Sequence, residues 1–230
     1  PGDDEIEAVL ESYKLHRYSN RFVVDEMDII DDRFGAIDMT MPREMGEAAR
    51  VVRPDLVYSI LLGNPTMGQD STALFATGHG NYVASGAGLA IGTLSTAKSA
   101  MASQTSNGRL LDIRAQYLIV PETKEWTASQ IVGSSEIRDT TSSTLYGVMN
   151  AAKGKFTVIS DPRLDVGVTD PSSGTVNAGE AGSWFLATAG GKYGIEVGNL
   201  RGTGKAPVVR RFELQEGRIG IGWLCVHYVA

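Results

Sequence analysis

Three histidines, His16, His79 and His227, and one cysteine, Cys225, are the scarce reactive side chains of this sequence. Metal binding by imidazole and thiolate needs such groups clustered at short spacing. These four are scattered, and no H-x-x-x-H repeat sets two imidazoles on one helix face. His79 is the one to weigh, because it lies in Gly78-His79-Gly80-Asn81, a loop of small residues between Phe75 and Tyr82. Such a loop could bring an imidazole to a serine and a carboxylate, and Asp70, His79 and Ser85 are the least implausible trio for a serine-type hydrolase. No G-x-S-x-G elbow presents the serine, so loop packing is the stronger expectation for His79. Ser85 to Gly92, SGAGLAIG, has the glycines of a phosphate-binding loop but neither its Lys-Ser/Thr ending nor a convincing preceding strand. Arg201, Lys205, Arg210 and Arg211 make a small basic cluster that lacks the interleaved aromatics of a nucleic-acid site. Solvated charge, or an anchor for the acids of residues 1–17, is its expected use. No catalytic, cofactor-binding or metal residue is assigned, and the chain is read as no enzyme.

The totals bound the rest. A chain of 230 residues makes one large domain or two small ones, and folding buries roughly 70–75% of its unfolded surface. The net charge of −6 disfavours tight binding to nucleic acid, which depends on Lys and Arg neutralising phosphates. A lone cysteine excludes an intrachain disulfide, and Cys225, in an apolar strand, reads as a small buried hydrophobe. No apolar run is long enough to span a bilayer. The chain begins at Pro1, so a processed product or a piece of a longer chain is expected.

The elements that must position these groups are legible in outline. After an acidic opening, YKLHRYSNRFVVDEMDIIDD (Tyr13 to Asp32) mixes β-favouring side chains with charges and reads as a strand returning towards a core, broken at Asp31-Asp32. Met41, Met45, Ala48, Ala49, Val52, Leu56 and Ile60 recur at three- and four-residue steps, so Met41 to Leu62 is predicted to be one helix. Thr40 is its expected N-cap, Gly63 and Pro65 its stop, and Pro54 a bend rather than a break. A glycine-rich loop over 63–92 precedes a shorter helix at Leu94 to Gln104. After an Asn107-Gly108 turn comes a strand at Leu110–Val120, then a helix at Glu122–Val132 with Trp126 and Ile131 among its apolar positions. From Lys155 the pattern is β: FTVIS, SWFLA, YGIEVG, APVVRRFEL and GIGWLCVHYV, between Gly-, Asp-, Pro- and Ser-rich turns. The order suggests an α+β arrangement of two subdomains.

Five stretches, in order, resemble segments of the major capsid proteins of tailed bacteriophages, of the Mu-like and Clp-protease-fused prohead types. They are YSNRFVVDEMDIIDDRFGAI (Tyr18 to Ile37), MGEAARVVRPDLVYSILLGNPTM (Met45 to Met67), ALFATGHGNY (Ala73 to Tyr82), LLDIRAQYLIVPETKEWTASQIV (Leu110 to Val132), and the pair FTVISDPRLD and SWFLATA (Phe156 to Asp165, Ser183 to Ala189). Asp31 stands where that family usually has asparagine. The resemblance implies the fold named for phage Hong Kong 97, with a long spine helix, a peripheral domain and an axial domain. It implies that residues 1–30 are the returning half of an extended loop and its connecting strand, and 31–65 the spine helix. By the same likeness 66–154 are mainly axial domain, 155–214 peripheral-domain strands, and 215–230 the terminal strand. No complete N-terminal arm or scaffolding segment is expected before the extended-loop region. The function it implies is a structural subunit that self-assembles into the icosahedral shell enclosing phage DNA. Its partners would be copies of itself in hexamers and pentamers, with a prohead protease, scaffold and portal during assembly in the bacterial cytoplasm, and no membrane. Two rivals remain: the hydrolase using His79, and a β-rich receptor-binding module of a virion, which accounts for the strands and glycines but not for the long amphipathic helix.

Overall fold

A computed structural model describes residues 14–32, 35–68, 70–83, 88–106, 108–138, 147–190, 194–202, 205–214 and 220–229. In chain order the elements are β1 (His16–Asp25), α1 (Glu26–Asp31), α2 (Ala36–Gly63), α3 (Ile91–Ala102), β2 (Thr105–Ser106), β3 (Arg109–Leu110), β4 (Ala115–Pro121) and α4 (Glu125–Gly133). Then follow β5 (Glu136–Arg138), β6 (Gly147–Met149), β7 (Thr157–Asp161), α5 (Arg163–Val166), β8 (Gly167–Thr169), β9 (Val176–Ala178), β10 (Phe185–Thr188), β11 (Val208–Glu213) and β12 (Gly220–Val229). They gather into two compact units, one holding residues 58–169 and 175–196, the other 12–57, 170–174 and 197–230. The chain is α+β, as expected.

The second of these, the terminal-strand unit, is built on an antiparallel sheet of order β1-β12-β11. Strand β12 pairs along its whole length with β1, from His16 opposite Val229 to Asp25 opposite Gly220. Period-two alternation turns Trp223, Cys225, His227 and Val229 to one face, and all four are buried. Over that face Val24, Met45, Trp223 and Cys225 form a core joined by Phe22, Ile29, Ile37 and Ala49. Helix α2 therefore does pack on a sheet, but through its first half. Of the predicted apolar stripe only Met45 is fully buried; Val52, Leu56 and Ile60 are half-buried and Ala48 is exposed.

Helix α2 also starts five residues before the expected Met41. Thr40 lies inside it rather than capping it, and the Asp32 carboxylate accepts from the Ile37 N–H at 2.8 Å, satisfying one of the orphan donors of the first turn. Pro42 and Pro54 both sit within the helix without ending it. The strand expected to run on to Asp31-Asp32 ends at Asp25, and the residues after it form the short helix α1, capped by Asp25, whose carboxylate accepts from the Glu26 N–H.

The other unit centres on β4, in a sheet of order β10-β4-β7. Leu118 and Val120, two residues apart and so on one face of β4, are fully buried there. Strands β4 and β7 are parallel, which demands a crossover, and α4 supplies its helix. Leu94, Ala115, Ala128, Val132 and Phe156 complete the core. Asn150, itself buried, ties off α4: its amide donates to the carbonyls of Ile131 at 2.6 Å and Ser134 at 3.0 Å, and its oxygen accepts from the Ala152 N–H.

Several expectations need correction here. The strand predicted over Leu110–Val120 is two strands, parted where Asp112 takes a left-handed φ of 48°. Trp126 does not face the core but is 78% exposed, and Ala128 and Val132 are the residues α4 buries. The YGIEVG segment contains no strand among its described residues, Asn199 alone bridging to Val229 just after it. FTVIS and SWFLA do form strands, yet they do not pair with each other; β4 lies between them. The boundary expected at residue 155 is not where the chain changes sheet, since β7 and β10 join β4 whereas β11 joins β12.

Candidate functional site

The loop after α2 is the place where sequence brought reactive groups together, and it is pinned by its own side chains. Asn64, in a left-handed conformation (φ 44°), clamps Phe75: its oxygen accepts from the Phe75 N–H at 2.7 Å and its amide donates to the Phe75 carbonyl at 3.1 Å. Asn81 repeats the device, accepting from the Ala76 N–H and donating to the Leu74 carbonyl at 2.7 Å. Phe75 stacks at 5.4 Å on Phe185 of β10, which anchors the loop to the sheet.

His79 closes this network. Its Nε2 lies 2.6 Å from Oδ2 of Asp70 and its Nδ1 3.1 Å from the Leu74 carbonyl. Both partners are acceptors, so the geometry favours the protonated ring, in which both nitrogens donate. The Asp70 hydrogen bond, and then that to Leu74, raise the His79 pKa above its ordinary value; the same bond to His79 lowers that of Asp70. Two members of the suspected trio thus meet, but in the wrong sense for catalysis. A general base needs a nitrogen lone pair turned towards a nucleophile, and here none is free. Ser85 lies outside the described residues, as do residues 86 and 87 of the glycine-rich stretch. Where that stretch resumes, the Thr93 hydroxyl accepts from the Ala90 N–H and donates to the Gly88 carbonyl, closing the first turn of α3.

The other candidates are dispersed. His16 is exposed on β1, and His227 is 4% exposed on β12, opposite Tyr18, with neither ring nitrogen hydrogen bonded among the described residues. Cys225 is buried, and burial raises its thiol pKa, as suits a small hydrophobe. The four-residue basic cluster divides: Arg210 and Arg211, being adjacent on β11, point to opposite faces, and Lys205 uses its carbonyl to accept from Arg53 at 2.6 Å. Among the described residues no group of three or more His, Cys, Asp or Glu could hold a metal ion, and no helix is long and apolar enough to cross a membrane.

Two arrangements had no sequence signal strong enough to find. Tyr58 near the end of α2 meets Asp161 and Arg163: burial, the Asp161 charge and its hydrogen bond push the phenol up to about 12, while the Arg163 guanidinium lies 5.9 Å from the ring centre. And Arg210, paired through Leu224 with Arg21 of β1, lies on the outer sheet face together with Arg17. Arg21 is 4.9 Å from the centre of the Phe212 ring, a cation–π contact. That ring covers Gly222, where any Cβ would collide with it. Neither cluster resembles a catalytic constellation.

Comparison with known proteins supplies the context. The sequence matches the family described as phage capsid protein over residues 9–230. No curated protein matches it. Among solved structures the fold is similar to a chain of the capsid of bacteriophage JBD30 decorated with minor capsid protein trimers. The TM-score is 0.50 at 18% identity, over 65% of this chain and 74% of that one.

Proposed function

Because the chain belongs to the phage capsid protein family, and is a structural subunit of a virion shell, we propose that its shell contacts account for the whole of its activity. The family match over nearly the full chain carries this reading. It is supported by large apolar side chains that the subunit leaves in solvent, Trp126, Met149, Val166 and Val176 among them, each more than 70% exposed. A lone soluble protein gains nothing from them, whereas neighbouring copies cover them at many symmetry-related contacts. In this reading copies pack into hexamers and pentamers, and a prohead protease, scaffold and portal act during assembly. The unit of α2 with β1, β12 and β11 takes the peripheral role and the unit around β4 the axial one. Residues 1–17, with five acids and few large apolar groups, reach a neighbouring subunit rather than a core of their own.

The same reading makes the subunit non-enzymatic, since His79 spends both nitrogens on loop structure. Light scattering and negative-stain microscopy of the whole gene product test the proposal. Shells, rings or sheets of capsomers are expected, and a defined monomer or trimer under every assembly condition contradicts it. Hydrolysis of ester, peptide or phosphate probes at a rate abolished by His79→Ala would overturn the non-enzymatic part alone.

A further inference from the structure

The sheet of the terminal-strand unit has two faces of opposite character. One is closed by α1 and α2 over Val24, Met45 and Trp223. The other carries Arg17, Arg21 and Arg210, all exposed, none with a carboxylate partner among the described residues. Arg21 and Arg210 flank Leu224 on one rung, so the guanidinium groups stand across three strands. On the rungs to either side Val23 and Val208 are about two-fifths exposed, and the Phe212 ring covers Gly222. This is an apolar strip edged with arginines.

On the closed side α1 offers the inverse pattern. Ile29 faces inward, which turns Met27 and Ile30 outward; they are 72% and 70% exposed. Glu26, Asp28 and Asp31 surround them, and Asp28 and Asp31 line an open depression floored by Phe22, Val24 and Ile37. An apolar floor beneath carboxylates suits an arginine, whose methylene stem packs while its guanidinium bonds the acids.

The geometry points to a head-to-tail contact between copies: the Arg17–Arg21–Arg210 face of one subunit receives the acidic α1 surface of a second copy. This inference rests on the capsid reading and adds the surface and its polarity. Different patches meet in such a contact, so it is heterologous, the class that closes rings or extends into arrays. Unlike charges around an apolar centre fix its register, and like charges oppose the reversed pairing. Duplex DNA is the weaker occupant, because exposed valines among the arginines offer nothing to a phosphate backbone.

Charge exchange in the whole gene product tests it, with particle yield read by sedimentation and melting curves of unassembled subunits as the fold control. Arg21→Glu with Arg210→Glu, and separately Asp28→Arg with Asp31→Arg, each lower yield at least about tenfold, because the lost contact repeats around the shell. Combining the two pairs restores yield to within a few-fold. If the arginine pair destabilises the subunit, Arg21→Gln with Arg210→Gln keeps the fold and still lowers yield. Wild-type yield from either charge-reversed pair overturns the inference. Loss in both without rescue removes α1 as the occupant. Normal particles that fail only to retain DNA assign the face to nucleic acid instead. A parental product that forms no particles contradicts the capsid reading itself.

Discussion

The His79 imidazole donates to Asp70 across 2.6 Å and to the Leu74 carbonyl on its other side, so a loop that looks reactive in sequence is a structural clasp. Its pH dependence has a definite sign. His79 is raised, chiefly by Asp70, so the stability it contributes is complete below about pH 6.5 and is lost as pH rises through its folded value. Asp70 is lowered, chiefly by His79, so its contribution is complete above about pH 4 and is lost as pH falls through its folded value. Amide protection over residues 74–81, taken relative to the intrinsic exchange rate at each pH, should be greatest in the mildly acidic range and fall on the alkaline side. His79→Ala should flatten that profile, and a profile unchanged by the substitution contradicts the clasp.

Asn150→Ala removes four hydrogen bonds from a buried position and orphans the carbonyls of Ile131 and Ser134. A loss of about 2–3 kcal/mol is expected in denaturant unfolding, the cost of buried polar groups left unpaired. A change below about 0.5 kcal/mol would mean that water replaces the amide at no cost.

Cys225 packs with Val24, Met45 and Trp223, and burial keeps its thiol protonated. A thiol-specific chromogenic reagent should label it slowly in the native subunit and at once in denaturant. Fast native labelling would place it at an accessible edge. Met45→Asp, in the same core, should cost several kcal/mol and unfold this unit, whereas the half-buried Leu56 position tolerates the same change better.

The net charge of −6 predicts weak duplex binding, with Kd above about 10⁻⁵ M at physiological salt. A gel shift at submicromolar concentration with a steep salt slope would contradict this.

Period and composition read the long helix, α3, and strands β1, β4, β7, β10, β11 and β12 from sequence, because each has strong local periodicity or β-rich residues between turn signals. They misplaced what tertiary context decides. The sequence places the start of α2 at Met41 because Thr40 reads as its N-cap, while the working acceptor is Asp32, outside that window. Trp126 reads as core from its type alone, yet a shell subunit has apolar residues whose partners belong to another copy. The arginine row escaped notice because Arg17 and Arg21 lie nearly two hundred residues from Arg210, and only the β1-β12-β11 register brings them together. The His79–Asp70 pairing was foreseen as a juxtaposition but not in its sense, which depends on the Leu74 carbonyl taking the second nitrogen.

Electron cryomicroscopy of particles from the parent phage or prophage tests the central claim most directly. The account predicts a continuous shell layer in which every capsomer subunit fits both units described above, α2 and the β1-β12-β11 sheet included. A shell built wholly from another polypeptide, with this chain found only in a spike or fibre or not at all, would contradict it.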